Sequence, residues 1–233
     1  MATSDRTRLF SALRVAGVIG ALAAAMAVPG AVGAAGTDRD GDGLSNSFEV
    51  YKSHTSPYRV DTDRDGIRDG QEDPDRDRLS NSKEQKAHLN PLRADSDHDG
   101  INDRNEDNDH DGLTTVQEFA AGENPVDVDT DNDGLHDGLD DVDCDGLENE
   151  TEFDAHTSPR VGDTDHDGIG DADEDRDADG VSNDSEEADG SDVNDTDSDD
   201  DGVDDADDSD ADGDGADDDA EGTEDVEDPS CDV

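Results

Sequence analysis

Apolar residues fall along this chain in two unlike ways. From Val15 to Val28 they form one nearly unbroken run, closed by Pro29, whereas beyond Gly36 they rarely stand together. There a single Leu, Ile or Val recurs inside short acidic strings, at Leu44, Ile67, Leu79, Ile101, Leu113, Leu135, Leu147, Ile169, Val181 and Val203. Neither the 3.6-residue period of a buried helix face nor the alternation of a strand is met. The pattern predicts tight loops joined by linkers. His54-Thr-Ser-Pro57, Leu89-Asn-Pro91, Glu123-Asn-Pro125 and His156-Thr-Ser-Pro159 mark four of these linkers. Each is expected to start as a short helical turn off the end of a loop and to stop before its Pro.

The acidic strings are strictly periodic. Asp61, Asp95, Asp129, Asp163 and Asp197 lie 34 residues apart, and each opens Asp-x-Asp-x-Asp-Gly followed by Ile, Leu or Val. We call these first-type loops. The string begins again 12 or 13 residues later, at Asp73, Asp107, Asp141, Asp175 and Asp210, in second-type loops, and a further copy starts at Asp38. Carboxylates at alternate residues of a tight loop suit a hard divalent cation such as Ca2+, which takes about six to eight oxygens in a flexible shell. Mg2+ demands stricter octahedral geometry and keeps its waters, so an all-oxygen flexible loop favours calcium.

The candidate ligands occupy positions 1, 3, 5, 9 and 12 of each loop, with the backbone carbonyl at position 7. In first-type loops they are Asp61, Asp63, Asp65, Ile67, Asp69 and Glu72, then Asp95, Asp97, Asp99, Ile101, Asp103 and Glu106. The next two are Asp129, Asp131, Asp133, Leu135, Asp137 and Asp140, then Asp163, Asp165, Asp167, Ile169, Asp171 and Glu174. Asp197, Asp199, Asp201, Val203, Asp205 and Asp208 complete this type. The second type opens with Asp38, Asp40, Asp42, Leu44, Asn46 and Glu49, and continues with Asp73, Asp75, Asp77, Asn81 and Glu84. Asp107, Asp109, Asp111, Leu113 and Glu118 follow, with Thr115 departing at position 9. The remaining sets are Asp141, Asp143, Asp145, Leu147, Asn149 and Glu152, then Asp175, Asp177, Asp179, Val181, Asn183 and Glu186. Asp210, Asp212, Asp214, Ala216, Asp218 and Glu221 form the last loop, displaced by Ser209. First-type loops carry Asp at position 9 where the second type usually has Asn, and are expected to bind more tightly. The Asp38 loop reads as the second half of a truncated pair. The Asp73 loop has Arg78 in place of the turn Gly, which predicts strain and the weakest site.

Composition explains why metal matters. Apolar residues are 27% and the formal charge is -56, a balance that leaves a chain disordered unless the acids are neutralised. Fifty of the 72 acidic residues stand at candidate ligand positions, and ion binding can substitute for a missing core. The expected fold is therefore an irregular, metal-stabilised repeat array with little regular secondary structure, short helical turns in the linkers and no conventional hydrophobic core. Small contacts among Phe48, Tyr51, Phe119, Phe153, Ile67, Leu79, Ile101 and Leu135 are expected between neighbouring loops. The surplus of acid, with Arg outnumbering Lys, resembles secreted proteins of salt-loving microbes.

Residues 1–36 read as a secretory signal peptide. Arg6, Arg8 and Arg14 precede the apolar run, and Val32-Gly33-Ala34 and Ala34-Ala35-Gly36 fit a small-x-small cleavage site. The array then spans 37–221, and 222–233 reads as a disordered acidic tail. Secretion would allow Cys144 and Cys231 to pair, to stay unpaired or to bond between molecules. No transmembrane segment is expected in the mature chain.

Two features oppose an EF-hand. Glu72 is followed directly by Asp73, and Glu106 by Asp107, which leaves no residues for an intervening helix, and the apolar residue is at position 7. The strings Asp163-Thr-Asp-His-Asp-Gly-Ile-Gly-Asp171 and Asp129-Thr-Asp-Asn-Asp-Gly-Leu-His-Asp137 resemble thrombospondin type 3 repeats. The likeness is to the cysteine-free microbial version, because Ala172-Asp173 stands where the animal repeats carry Cys, and it runs from about Asp38 to Glu221. It implies calcium-wrapped repeats in a secreted or surface protein, with the Asp side chains and position-7 carbonyls as ligands. The expected role is calcium binding by a non-enzymatic, calcium-rigidified spacer or an adhesive surface or matrix component, with cell-surface proteins, matrix proteins or glycans as partners. A calcium reservoir or mineral-contacting polyanion, an accessory region of a secreted enzyme or toxin, and a disordered halophilic protein are the alternatives. His98, His110 and His166 fall at the variable position 4, and neither a catalytic constellation nor a basic nucleic-acid patch is present.

Overall fold

In the computed structural model residues 36–215 and residue 231 are described. The signal-peptide reading, the ligand positions Ala216, Asp218 and Glu221, and the tail other than Cys231 lie outside them.

Each described loop from Asp38 to Asp197 closes in the same way. The N–H of its ninth residue donates to the carbonyl just ahead of the first, as in Asn46 to Thr37 (2.8 Å), Asp69 to Val60 (2.9 Å) and Asn183 to Glu174 (2.8 Å). Inside this ring the aspartates bind the loop's own N–H groups. Asp61 accepts from Arg64 (2.6 Å) and Gly66 (3.1 Å), and Asp65 accepts from Ile67 (2.7 Å). Turning those N–H groups inward puts positions 4 and 6 in the left-handed region. Position 6 is Gly except at Arg78, which adopts φ 75° and donates to Asp73 at 3.1 Å just as a glycine would. The Asp73 loop thus keeps its backbone at the expense of strain. Position 4 accepts the left-handed conformation with Arg64, His98, Asn132, Cys144 or His166.

Second-type loops run directly into helices: α1 (Asn46–Phe48), α2 (Asn81–Lys86), α3 (Thr115–Ala121), α4 (Asn149–Ala155) and α5 (Asn183–Asp189). α1 continues as a wider turn through Glu49–Ser53. These helices start at position 9, inside the loop, and not after the closing Glu as the sequence suggested. In α1 and α3 the residue at position 8 takes part in a cap. Ser45 accepts from Phe48 (3.3 Å), and Gln117 Oε1 accepts from the Thr114 N–H (2.9 Å) and hydroxyl (2.6 Å). Left-handed residues end them, Gly122 after α3, His156 after α4 and Gly190 after α5. First-type loops make only a 3-10 turn at most, as at Asp69–Gln71, Asp103–Asn105 and Asp205–Asp207. Among the described residues there is no strand, and no helix is long and apolar enough to cross a membrane.

The position-7 residues divide by loop type. Leu44, Leu79, Leu113 and Leu147 are wholly buried, while Ile67, Ile101 and Ile169 are about half exposed. Ile67 and Ile101, expected to pack between loops, thus keep about half of their surface in solvent. Leu135 of the first type and Val181 of the second are intermediate, and Gly70 of the next loop stands against Leu44. Leu79, Ala87 and Leu89 cluster with Phe119 packed against them, and Lys83 lies 4.9 Å from the centre of the Phe119 ring. Polar links join neighbours about 40 residues apart. The Ser45 N–H and hydroxyl donate to Gln85 Oε1 (2.7 and 2.8 Å), Glu148 N–H donates to Glu187 (3.1 Å), and Arg160 donates to the Ala121 carbonyl (2.6 Å). Cys144 and Cys231 are joined in a disulfide, which settles the pairing that the sequence left open.

Candidate metal centre

The two loop types gather their carboxylates differently. In the first type, oxygens of Asp95, Asp97, Asp99 and Glu106 all lie within 4.8 Å of one another, and Asp61, Asp63 and Asp65 group likewise. In the Asp38 loop two triads overlap at Asp42. One is Asp38, Asp40 and Asp42; the other is Asp42, Glu49 and Asp69, all three buried. Asp69 belongs by sequence to the next loop.

That arrangement recurs. The charges that oppose ionisation of each second-type closing glutamate include the position-9 aspartate of the following first-type loop: Asp103 for Glu84, Asp137 for Glu118, Asp171 for Glu152 and Asp205 for Glu186. Backbone contacts dock the loops together. Ala206 N–H donates to Asp179 Oδ2 (3.0 Å), and a Cβ built on Gly138 would stand 2.5 Å from the Asp111 carbonyl oxygen. Gly70 meets Asp42 in the same close approach. The structural unit is thus a second-type loop, its helix and linker, and the first-type loop that follows. The Asp38 loop is a complete first half, not a truncated remnant.

A residue that the sequence reading passed over holds these aspartates. Thr62, at position 2, donates its N–H to Asp69 Oδ1 (2.7 Å) and its hydroxyl to Oδ2 (2.6 Å), while accepting from Ser56 N–H (2.8 Å). Ser96, Thr130, Thr164 and Ser198 treat Asp103, Asp137, Asp171 and Asp205 in the same way. The signal was present: Thr or Ser recurs at position 2 of first-type loops alone. In second-type loops the amide nitrogens of Asn81, Asn149 and Asn183 donate to the carbonyls of Asp69, Asp137 and Asp171, at 2.7 Å each. This turns Oδ1 of Asn81 and Asn149 inward, where it is buried without a partner. Thr115 spends its hydroxyl on the Glu106 carbonyl (3.0 Å) instead.

Burial sets the electrostatics. Glu49, Glu84, Glu118, Glu152 and Glu186 are wholly buried. Burial first, and neighbouring aspartates second, push Glu84, Glu118 and Glu152 up to about 9 and Glu49 and Glu186 to about 8. The half-buried Glu72 and Glu106 of first-type loops rise only to about 7. Both oxygens of Asp40, Asp109, Asp143, Glu49, Glu84, Glu118 and Glu186 are buried without a hydrogen-bond partner. The donor set is oxygen throughout. Such groups are costly to bury unless a proton or cation meets them, and all-oxygen sets suit a hard cation. The residues therefore fit the ion that the sequence suggested. Of the last loop's candidate ligands, Asp210, Asp212 and Asp214 are among the described residues.

Position 4 is exposed in the Asp95, Asp107 and Asp163 loops, at His98, His110 and His166. Comparison with family models, curated proteins and solved structures finds no match to this chain.

Proposed function

We propose that this chain is a secreted calcium-binding repeat protein, in which ions set the loops and turn the array into a spacer or an adhesive surface or matrix component. The observation that carries the reading is the row of wholly buried closing glutamates, of which Glu49, Glu84, Glu118 and Glu186 have no hydrogen-bond donor on either carboxylate oxygen. When bound, calcium supplies the positive charge that such a set lacks. The chain's own groups do the rest. Position-1 aspartates order the turn through its N–H groups, position-5 aspartates fix the residue at position 7, and the buried Glu anchors the loop to its helix. The likeness of the strings to thrombospondin type 3 repeats supports the same reading. An extracellular setting, where calcium is plentiful, suits loops of this kind.

The test is a calcium titration followed by circular dichroism and small-angle scattering, with chelator and Mg2+ as controls. Saturable binding of about one ion per loop, with a compaction or stiffening that chelator reverses, is expected. An unchanged profile at millimolar calcium would remove the proposal and favour a disordered polyanion.

A further inference from the structure

We infer that the position-9 aspartate of each first-type loop belongs to the ion site of the second-type loop before it, so that one cation fastens two loops. This rests on the calcium reading above and deepens it.

Four observations converge. The Asp69 carboxylate lies within 4.8 Å of Asp42 and Glu49, and all three are buried. The first-type group Asp95, Asp97, Asp99 and Glu106 gathers four carboxylates, and Asp103 is not among them. Each Asp69 oxygen takes one hydrogen bond from Thr62, which aims the carboxylate and leaves a lone pair on each oxygen. Gly70, next in the chain, comes so close to the Asp42 carbonyl that no side chain fits between them. The close approach is built into the backbone, and the aspartate follows from it.

Two consequences set this apart from eleven independent loops. The second-type site gathers five carboxylates, in the first unit Asp38, Asp40, Asp42, Glu49 and Asp69, against four in a first-type site. The order of affinity is then the reverse of that expected from position 9 alone. Ion binding at a second-type loop also requires the next loop to be docked, so filling and unit assembly are one event. Thr62 is a positioning residue that ties the linker at Ser56 to Asp69.

The experiment compares Asp69→Asn and Thr62→Val with the unaltered full chain. The backbone amides of Gly43 and Gly66, which donate to Asp38 and Asp61 at 3.1 Å each, are followed by NMR as calcium is added. Asp69→Asn is expected to weaken calcium about tenfold or more at Gly43, in the Asp38 loop, while Gly66 shifts much less. Thr62→Val keeps the charge and should show the same order of effect at the two amides, at smaller size. Loss confined to Gly66 in Asp69→Asn would overturn the inference. So would equal loss at both amides in both variants, which would mark Asp69 as packing alone. If neither amide of the unaltered chain responds to calcium, the calcium reading itself falls and takes this inference with it. That result is distinct from either of the other two.

Discussion

Calcium binding to the folded chain should release protons at pH 7. The closing glutamates hold their protons far above the ordinary carboxylate range, so the ion must displace them. Glu84, Glu118 and Glu152, pushed up to about 9, are protonated by roughly a hundred to one at neutral pH, which makes nearly one proton each. Glu49 and Glu186, at about 8, add roughly nine-tenths each, and Glu72 and Glu106, at about 7, add roughly half each. About five to six protons per chain should therefore appear on saturation. The sign for stability follows from the same groups. Their pKa is raised on folding, so the calcium-free fold is favoured below the unfolded value of 4.5 and loses stability as pH rises through about 9. Isothermal titration calorimetry in two buffers of different ionisation enthalpy counts the protons directly. Glu118→Gln should lower the count by one, and Glu106→Gln by about half. A binding enthalpy independent of buffer would refute the reasoning, because it would mean that the calcium-free chain does not bury these carboxyls.

Leu113→Ala, at a wholly buried position, should cost about 3 kcal/mol in urea unfolding of the calcium-loaded chain, and Ile101→Ala well under about 1 kcal/mol. Arg78→Gly should relieve about 1 kcal/mol of left-handed strain and strengthen calcium at the Asp73 loop; an unchanged affinity there would show that Arg78 costs that site nothing. Gly138→Ala, which would set a Cβ 2.5 Å from the Asp111 oxygen, should destabilise by about 1–3 kcal/mol and weaken the Asp107 loop more than the Asp129 loop, as read from their position-6 amides.

Local spacing made much of this molecule legible. Alternate aspartates and a Gly at position 6 define a ring that closes through its own N–H groups, and the structure gathers positions 1, 3 and 5 in the Asp38, Asp61, Asp73 and Asp95 loops, with position 12 joining them in the Asp95 loop. What spacing could not show is what lies beyond a single loop. Asp69 reaches Asp42 across 27 residues, through a backbone approach that depends on Gly70, and no spacing within one loop contains that contact. The same docking separates buried Leu44 from exposed Ile67, although both occupy position 7. The helices start at position 9, ahead of the closing Glu, with a cap at position 8 in α1 and α3, and a turn inferred from Pro alone fixes only where a helix stops.

The disulfide has a mechanical consequence. Cys144 and Cys231 are 87 residues apart in sequence, and tension drawn along the chain through both passes across the sulfur bridge. The rest of the Asp141 unit, the Asp175 unit and the Asp210 loop are then a slack bight that carries no load while the bridge holds, and the part ahead of Cys144 takes the tension. Reduction would bring the sheltered segment into the line of force, adding up to roughly 300 Å of extensible length at about 3.3–3.6 Å per residue.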